Sequence, residues 1–325
     1  MSALSFAATL RIAVVACAAF ISSIAHADNY PSKPITLVAI FGPGSTSDLI
    51  CRLLGQRLSV ALKESVIVEN RPGANGALAA QYVARSAPDG YTLMLGTNSP
   101  LSAVPYLMKR PPYDAIKDFT PITRMGSYTL MLVVHPSIPA KSVKELVEYA
   151  KANPGRLSYA SANTSGIVAG ATLGHWAEID ILHVPYKSPA PALQDLVAGR
   201  VSMMFTDLTT GRPLVESGAL RALATTRLHR SALYPQLPTM DEAGITGFDM
   251  DSWGGIVGPA HMPPEIVARL NTELRKIIDD PEVKNSLGRV GFEAFSSTPK
   301  EFEDTIKLQL GKWGKMVKDA GIQAE

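Results

Sequence analysis

The sequence predicts an α/β protein made of two doubly wound domains, and three observations carry this prediction. Short apolar runs alternate along the chain with amphipathic segments of helical period, which predicts α/β layers with largely parallel sheets. With 325 residues, 46% of them hydrophobic, the chain is long enough to bury two cores. Two polar turns of similar chemistry, each between a strand and a helix, occur in the two halves of the chain.

The first turn (residues 42–48) joins a predicted strand, 35–41, to a helix whose apolar face continues to Leu62. Unpaired backbone N–H groups and the positive end of the helix dipole meet at such a turn, so it can bind an anion. Its residues are Gly42, Pro43, Gly44, Ser45, Thr46, Ser47 and Asp48. The chain has no Gly-Lys-Ser/Thr after the turn and no G-x-G-x-x-G, which disfavours a nucleotide. A small anion such as a carboxylate is the specific hypothesis, beside an ordinary turn capped by Ser45 or Thr46.

The rest of the first half continues the alternation. Strands are predicted at 65–70 and 91–96, with a helix at 77–84 between them. Asn98 and Ser99 follow the second of these strands, at the edge where open α/β sheets bind ligands. A crossing into the second domain is expected near Met125. We therefore expect a first domain of residues 28–126 and 250–325 and a second domain of residues 127–249.

The second half repeats the pattern. A strand at 129–134 precedes a helix that opens on a predicted capping box, Ser142-Val143-Lys144-Glu145. A strand at 157–160 then meets the second turn (residues 161–166), which leads into a helix from Ile167. The candidate ligand-binding residues of this turn are Ser161, Asn163, Thr164, Ser165 and Gly166. One such turn in each domain could hold an anion from both sides.

Later strands are predicted at 181–184, 201–205 and 220–225, with helices at 191–198, 264–279 and 299–320. Lys187 follows one strand end and either pairs with a second carboxylate or is an exposed lysine. Asp207 follows another, where it either orients hydroxyl groups or caps the next helix. Both are kept as candidate ligand-binding residues.

The N-terminus has the pattern of a secretory signal. Arg11 precedes an apolar stretch, 12–24, and Ala25-His26-Ala27 fits a cleavage site after Ala27. This predicts a signal peptide of residues 1–27 and a periplasmic protein; acylation of Cys17 is the alternative. Cys51 then has no partner within the chain, and a small buried residue is its expected role. The formal net charge is +2, and the charged residues are scattered along the chain. This indicates neither a surface that binds nucleic acid nor a stripe of residues that binds a membrane.

Catalytic and metal sites are not expected. The six histidines are scattered, and their spacing matches no compact metal site. Asp249 and Asp251 could be paired carboxylates, but a hinge or capping role is favoured. The sequence therefore predicts a non-enzymatic protein without cofactor or metal.

Several motifs lie along the whole mature chain: the first turn with Phe41, Val68-Glu69-Asn70-Arg71-Pro72-Gly73-Ala74, Pro88-Asp89-Gly90-Tyr91-Thr92-Leu93, Asn153-Pro154-Gly155 and His183-Val184-Pro185-Tyr186-Lys187. Together they resemble the motifs of the Bug (TctC-like) family, the periplasmic receptors of tripartite tricarboxylate transporters. The resemblance implies a Venus flytrap like that of type II periplasmic binding proteins, with hinge strands joining the two domains. It further implies a monomer that binds a small organic acid, a mono- or dicarboxylate that can be aromatic, and delivers it to membrane permease subunits.

Two departures from the family pattern concern the turns themselves. Gly44 is followed by Ser45 where two adjacent glycines are usual, and the second turn is shorter and poorer in glycine. Two other classes of function stay open at this point. One is a periplasmic enzyme acting on small organic acids, and the other is a ligand-sensing receptor for signalling.

Overall fold

Two mixed β-sheets, packed with helices, form the framework of the protein in a computed structural model, which describes residues 30–324. The predicted signal peptide and Cys17 lie outside the described residues. The strand order in the first sheet is β11-β4-β10-β3-β1-β2. Its strands are β1 (Ile35–Ala39), β2 (Val66–Asn70), β3 (Thr92–Thr97), β4 (Phe119–Tyr128), β10 (Ser252–Pro259) and β11 (Phe292–Ala294).

The second sheet has the order β7-β6-β8-β5-β9. Its strands are β5 (Leu130–Val134), β6 (Leu157–Ser161), β7 (Ile181–Pro185), β8 (Met203–Asp207) and β9 (Arg221–Thr225). Every residue of β5 is buried, as expected for an apolar strand with both faces covered. The chain passes from the first sheet to the second at Thr129, and it returns between Thr225 and Ser252.

Helices connect the strands of each sheet. Those from the first part of the chain and from its end are α1 (Thr46–Leu62), α2 (Ala77–Ala84), α3 (Val104–Leu107), α8 (Pro264–Asp279), α9 (Pro281–Arg289) and α10 (Pro299–Asp319). Those between β5 and β9 are α4 (Val143–Ala152), α5 (Thr164–Trp176), α6 (Pro189–Val197) and α7 (Leu208–Glu216). Short turns of 3-10 and π type occupy Ala74–Gly76 and Ser99–Ala103.

The last helix, α10, belongs to both cores. Phe302 and Ile306 in its first half are buried with residues of the first sheet, Trp253 among them. Trp313 and Met316 in its second half are buried with residues of the second sheet and of α5. This helix therefore ties the two sheets together by apolar packing.

Two details of the sequence-based fold are corrected by the structure. The sheets are mixed and not largely parallel, since parallel pairing occurs only between β1, β2 and β3 and between β6, β7 and β8 among the described strands. The capping box at Ser142 is only half formed, because Glu145 accepts from the Lys141 amide instead. The predicted crossing near Met125 and the predicted domain ranges stay predictions.

Candidate functional site

The first turn begins α1 with a side-chain cap and an open glycine backbone. Ser45 is the N-cap, and its Oγ accepts from the Asp48 amide at 3.2 Å. Gly44 has a φ of +79°, a left-handed conformation that glycine adopts without strain. A Cβ added at Gly42 or Gly44 would meet no atom of the described part of the chain within 4 Å. The turn is therefore fixed at its helix end and unobstructed over its glycines, so a ligand can approach the backbone there.

Asp48 is engaged by its own chain. Its Oδ2 accepts from the Gly44 amide at 2.9 Å and from Arg52 Nε at 3.1 Å. Its Oδ1 accepts from Asn70 Nδ2 at 3.0 Å and lies 3.0 Å from Arg52 Nη2. Burial alone would raise the pKa of Asp48, but the hydrogen bonds from Arg52, Gly44 and Asn70 outweigh it and lower that pKa. The carboxylate thus stabilises the turn, and the Arg52 guanidinium balances its charge.

Hydrogen-bond donors remain in the first turn after these bonds are made. Thr46 and Ser47 are the first two residues of α1, so their amides have no acceptor within the helix. The Ser47 side chain is 4% exposed, and its hydroxyl oxygen has no hydrogen-bond partner among the described residues. Thr46 is half-buried. The turn can therefore donate to an anion through backbone and hydroxyl groups together.

The second turn is also a capped helix start. Asn163 is the N-cap of α5, and its Oδ1 accepts from the Gly166 amide at 2.9 Å. Ser161 Oγ shares a hydrogen bond of 2.7 Å with Nε2 of His183, whose ring stacks on Tyr159. Desolvation of its ring lowers the pKa of His183.

Hydroxyl and amide groups join the second turn to the first sheet. Ser99 Oγ and Thr164 Oγ1 lie 2.6 Å apart, and Asn98 Nδ2 donates to Ser165 Oγ at 3.1 Å. Ser165 Oγ is also 3.3 Å from Ser252 Oγ, at the start of β10. The structure thus brings four of the predicted site residues together across the two sheets, all of them buried.

Lys187 and Asp207 have different surroundings. Lys187 is exposed after the end of β7. Asp207 is the N-cap of α7, and its Oδ1 accepts from the Thr210 amide at 3.0 Å and from the Thr210 hydroxyl at 3.1 Å, so this side chain both caps the helix and orients a hydroxyl group. Two surface cavities of about 320 and 240 Å³ are lined by residues other than those of the two turns.

Two other sequence-based interpretations are settled by burial and contacts. Cys51 is fully buried, and burial raises the pKa of its thiol. Asp249 accepts from Lys312 Nζ at 2.6 Å, and Asp251 accepts from Arg124 Nη2 at 2.5 Å. These two carboxylates are therefore held in separate ion pairs near the chain crossings, and their hinge role stays a prediction.

Two residues whose side chains contact the first turn, Arg52 and Asn70, were not predicted from the sequence. Arg52 is predictable in hindsight, because it follows Asp48 at the i,i+4 helical spacing. Asn70 ends β2, and β1 pairs with β2 in parallel register, so both strands end at one edge of the sheet. That edge carries Asn70 next to the turn that follows β1.

Within residues 30–324, no group of three or more His, Cys, Asp or Glu side chains is arranged to hold a metal ion. Over the same residues, the structure contains no helix that is both long and apolar enough to cross a membrane.

Two α/β units whose polar strand ends meet through hydroxyl contacts define a two-domain solute-binding receptor. The family model described as "Tripartite tricarboxylate transporter family receptor" matches residues 50–322, and the chain belongs to this family.

Solved structures agree with this assignment. The structure of R. palustris Rpa4515 with adipate is 33% identical with a TM-score of 0.83, and the match covers 91% of this chain and 100% of that one. The periplasmic binding protein BugD is 32% identical with a TM-score of 0.80, at the same coverage. MatC from Rhodopseudomonas palustris with bound malate is 28% identical with a TM-score of 0.77, covering 89% of this chain and 100% of that one. These matches confirm the predicted family and the two-domain α/β fold.

Proposed function

We propose that this chain is an extracytoplasmic receptor that captures a small organic acid between its two sheets. It then delivers the acid to the membrane permease subunits of a tripartite tricarboxylate-type transporter. Family membership supports the transport role, and the relatives crystallised with adipate and malate support a carboxylate ligand. The observation that carries the proposal is the set of donors in the first turn that have no acceptor within residues 30–324.

The proposed mechanism is recognition by neutral donors. A carboxylate accepts from the Thr46 and Ser47 amides and from the hydroxyl groups of both residues, at the positive end of the α1 dipole. The second turn adds the hydroxyl group of Ser161 and those at the start of α5. No formal cation is needed, because charge-assisted hydrogen bonds to backbone N–H groups are strong inside a closed site. The bonds between Ser99 and Thr164 and between Asn98 and Ser165 hold the two sheets together in the closed form.

The proposal includes the location and the state of the protein. The mature chain acts in the periplasm as a monomer, after removal of residues 1–27, and binds neither a cofactor nor nucleic acid. It is not an enzyme: the acid leaves the cleft chemically unchanged. Closure of the two units around the acid is the signal that the permease subunits recognise.

A ligand screen tests the function. Purified mature protein should gain thermal stability with adipate, malate or another mono- or dicarboxylate, because a ligand that binds only the folded state stabilises it. At a ligand concentration of 100 times Kd the gain is about 2.7 kcal/mol. The proposal is wrong if a broad panel of organic acids gives no shift while any of them is converted to product.

Replacement of one hydroxyl in each turn should weaken binding. Thr46→Ala and Ser161→Ala each remove a donor to the carboxylate, and hydrogen bonds to charged groups are worth about 1.5–3 kcal/mol, so affinity should fall about tenfold or more. Isothermal titration with the best acid of the screen measures the change. Thr272→Ala is the control, because Thr272 Oγ1 bonds only its own helix at Ala268. Wild-type affinity in both variants would remove the two turns from the site.

A further inference from the structure

Asn70 joins the two ends of the first turn. Its Nδ2 donates to the carbonyl of Phe41, just before the turn, at 2.9 Å. The same nitrogen donates to Asp48 Oδ1, at the helix end of the turn, at 3.0 Å. Beside it, the Arg71 amide donates to the carbonyl of Ala39 at 2.9 Å. The end of β2 therefore holds both sides of the loop that follows β1.

Asp48 transmits this restraint to the glycine backbone. Its two oxygens accept hydrogen bonds from the Gly44 amide, from Asn70 Nδ2 and from Arg52 Nε, and Arg52 Nη2 forms an ion pair with Oδ1. Since every one of these contacts comes from a donor, only a carboxylate satisfies them all. The Gly44 amide is thereby directed at Asp48, and the Thr46 and Ser47 amides are left for another acceptor.

We propose that Asn70, acting through Asp48, is the positioning residue of the first turn, which it holds in the conformation that leaves these amides and the Ser47 hydroxyl free. Its role in ligand affinity rests on the proposed function, whereas its role in ordering the turn does not. Asn70 does not itself contact the acid. An isosteric carboxylate cannot replace it, because Nδ2 supplies two hydrogen atoms and both are used.

The ordering role is tested without any ligand. Hydrogen–deuterium exchange of a peptide covering residues 41–52 should be at least tenfold faster in Asn70→Ala and Asn70→Asp than in the wild type. Asn153→Ala is the matched control, because Asn153 Nδ2 likewise donates to a backbone carbonyl, that of Tyr149 at the end of α4. Unchanged exchange of 41–52 in both Asn70 variants overturns the proposal.

The pH dependence of affinity separates positioning from a general loss of structure. In Asn70→Asp the new carboxylate faces Asp48, with Arg52, Glu69 and Arg71 as the other charged groups nearby. At pH 8 two carboxylates repel each other across the turn, so adipate should bind at least tenfold more weakly than to the wild type. As the pH falls to 5, the new carboxyl gains a proton that it can donate to Asp48. The difference in adipate affinity between the wild type and this variant should therefore become smaller.

The two hypotheses fail in different ways. If the wild type binds adipate and Asn70→Asp binds it equally well at every pH, the positioning role is wrong and the receptor function stands. If the wild type binds no organic acid, the receptor function is wrong, and the exchange of residues 41–52 still decides the positioning role.

Discussion

Replacement of Arg227 by methionine is expected to lower the free energy of unfolding by about 3–5 kcal/mol, because it leaves partly buried carboxylates without their cation. The Arg227 side chain is 19% exposed, and its Nη1 lies 3.2 Å from Glu293 Oε1. Its Nε lies 3.8 Å from Asp251, which also pairs with Arg124. Glu293 further accepts from Thr129 and Ser231.

This network connects the two chain crossings. Thr129 is the residue at which the chain leaves the first sheet, and Arg227 lies just after β9 on the way back. Glu293, in β11 of the first sheet, accepts a hydrogen bond from Thr129 and forms an ion pair with Arg227. Loss of Arg227 should therefore change domain closure as well as stability. Urea unfolding measures the change in stability, and the radius of gyration with and without ligand measures the change in domain closure.

A matched control is available nearby. Arg230 pairs with Glu242, but both side chains are nearly half exposed. Arg230→Met should therefore change stability by no more than about 1 kcal/mol. Equal effects of the two substitutions would contradict the assignment of a hinge network around Arg227.

The same network predicts a pH dependence. Burial alone would raise the pKa of Glu293, but hydrogen bonds from Ser231 and Thr129 and the charge of Arg227 outweigh it and lower that pKa. A carboxyl whose folded pKa is depressed adds stability above its unfolded pKa, about 4.3, and loses it as the pH falls through the folded value. The difference in stability between the wild type and Glu293→Gln should therefore be full at pH 7 and shrink below pH 4. A difference in stability that stays constant from pH 7 to below pH 4 would contradict this role of the Glu293 carboxylate.

Gly126→Ala is expected to destabilise the protein by about 3 kcal/mol or more, through a steric clash and backbone strain together. Gly126 has a φ of +144°, and an added Cβ would lie 2.1 Å from the carbonyl oxygen of Glu293. That atom belongs to the backbone of β11, so relief requires separating β11 from β4. The substitution would also displace the Glu293 side chain from the hinge network.

Gly218→Ala separates the two causes of this effect. Gly218 has a φ of +76°, but an added Cβ would meet no atom within 4 Å. Only the conformational strain remains there, about 1 kcal/mol. Urea unfolding of both variants tests the difference, and a Gly126→Ala variant no less stable than Gly218→Ala would refute the clash.

The parts of the fold with a strong local pattern were predictable from the sequence. β1 and β5 are nearly continuous apolar runs, and α8 and α10 keep a helical period over many residues. β4 and β10 were missed because Pro121 and Gly126 interrupt the first and three glycines the second. In both strands, pairing with neighbours outweighs poor local propensity.

In the site, too, local features were predictable from the sequence and contacts between distant residues were not. The caps at Ser45 and Asp207 depend on residues three positions away, and both were among the alternatives read from the sequence. The Asn70 contact spans 22 positions and depends on strand register, which one sequence does not specify. The contacts of Asn98 and Ser99 with α5 depend on how the two sheets pack, so only their position at a strand end was predictable.

The central claim is that both turns bind one acid, and amide chemical shifts in a ligand titration test it most directly. We expect the Thr46 and Ser47 amides of the first turn and the Ser165 and Gly166 amides of the second to shift together. Both sets should follow one saturation curve with the most stabilising acid of the screen. Shifts confined to one turn, or to neither, would contradict capture of the acid between them.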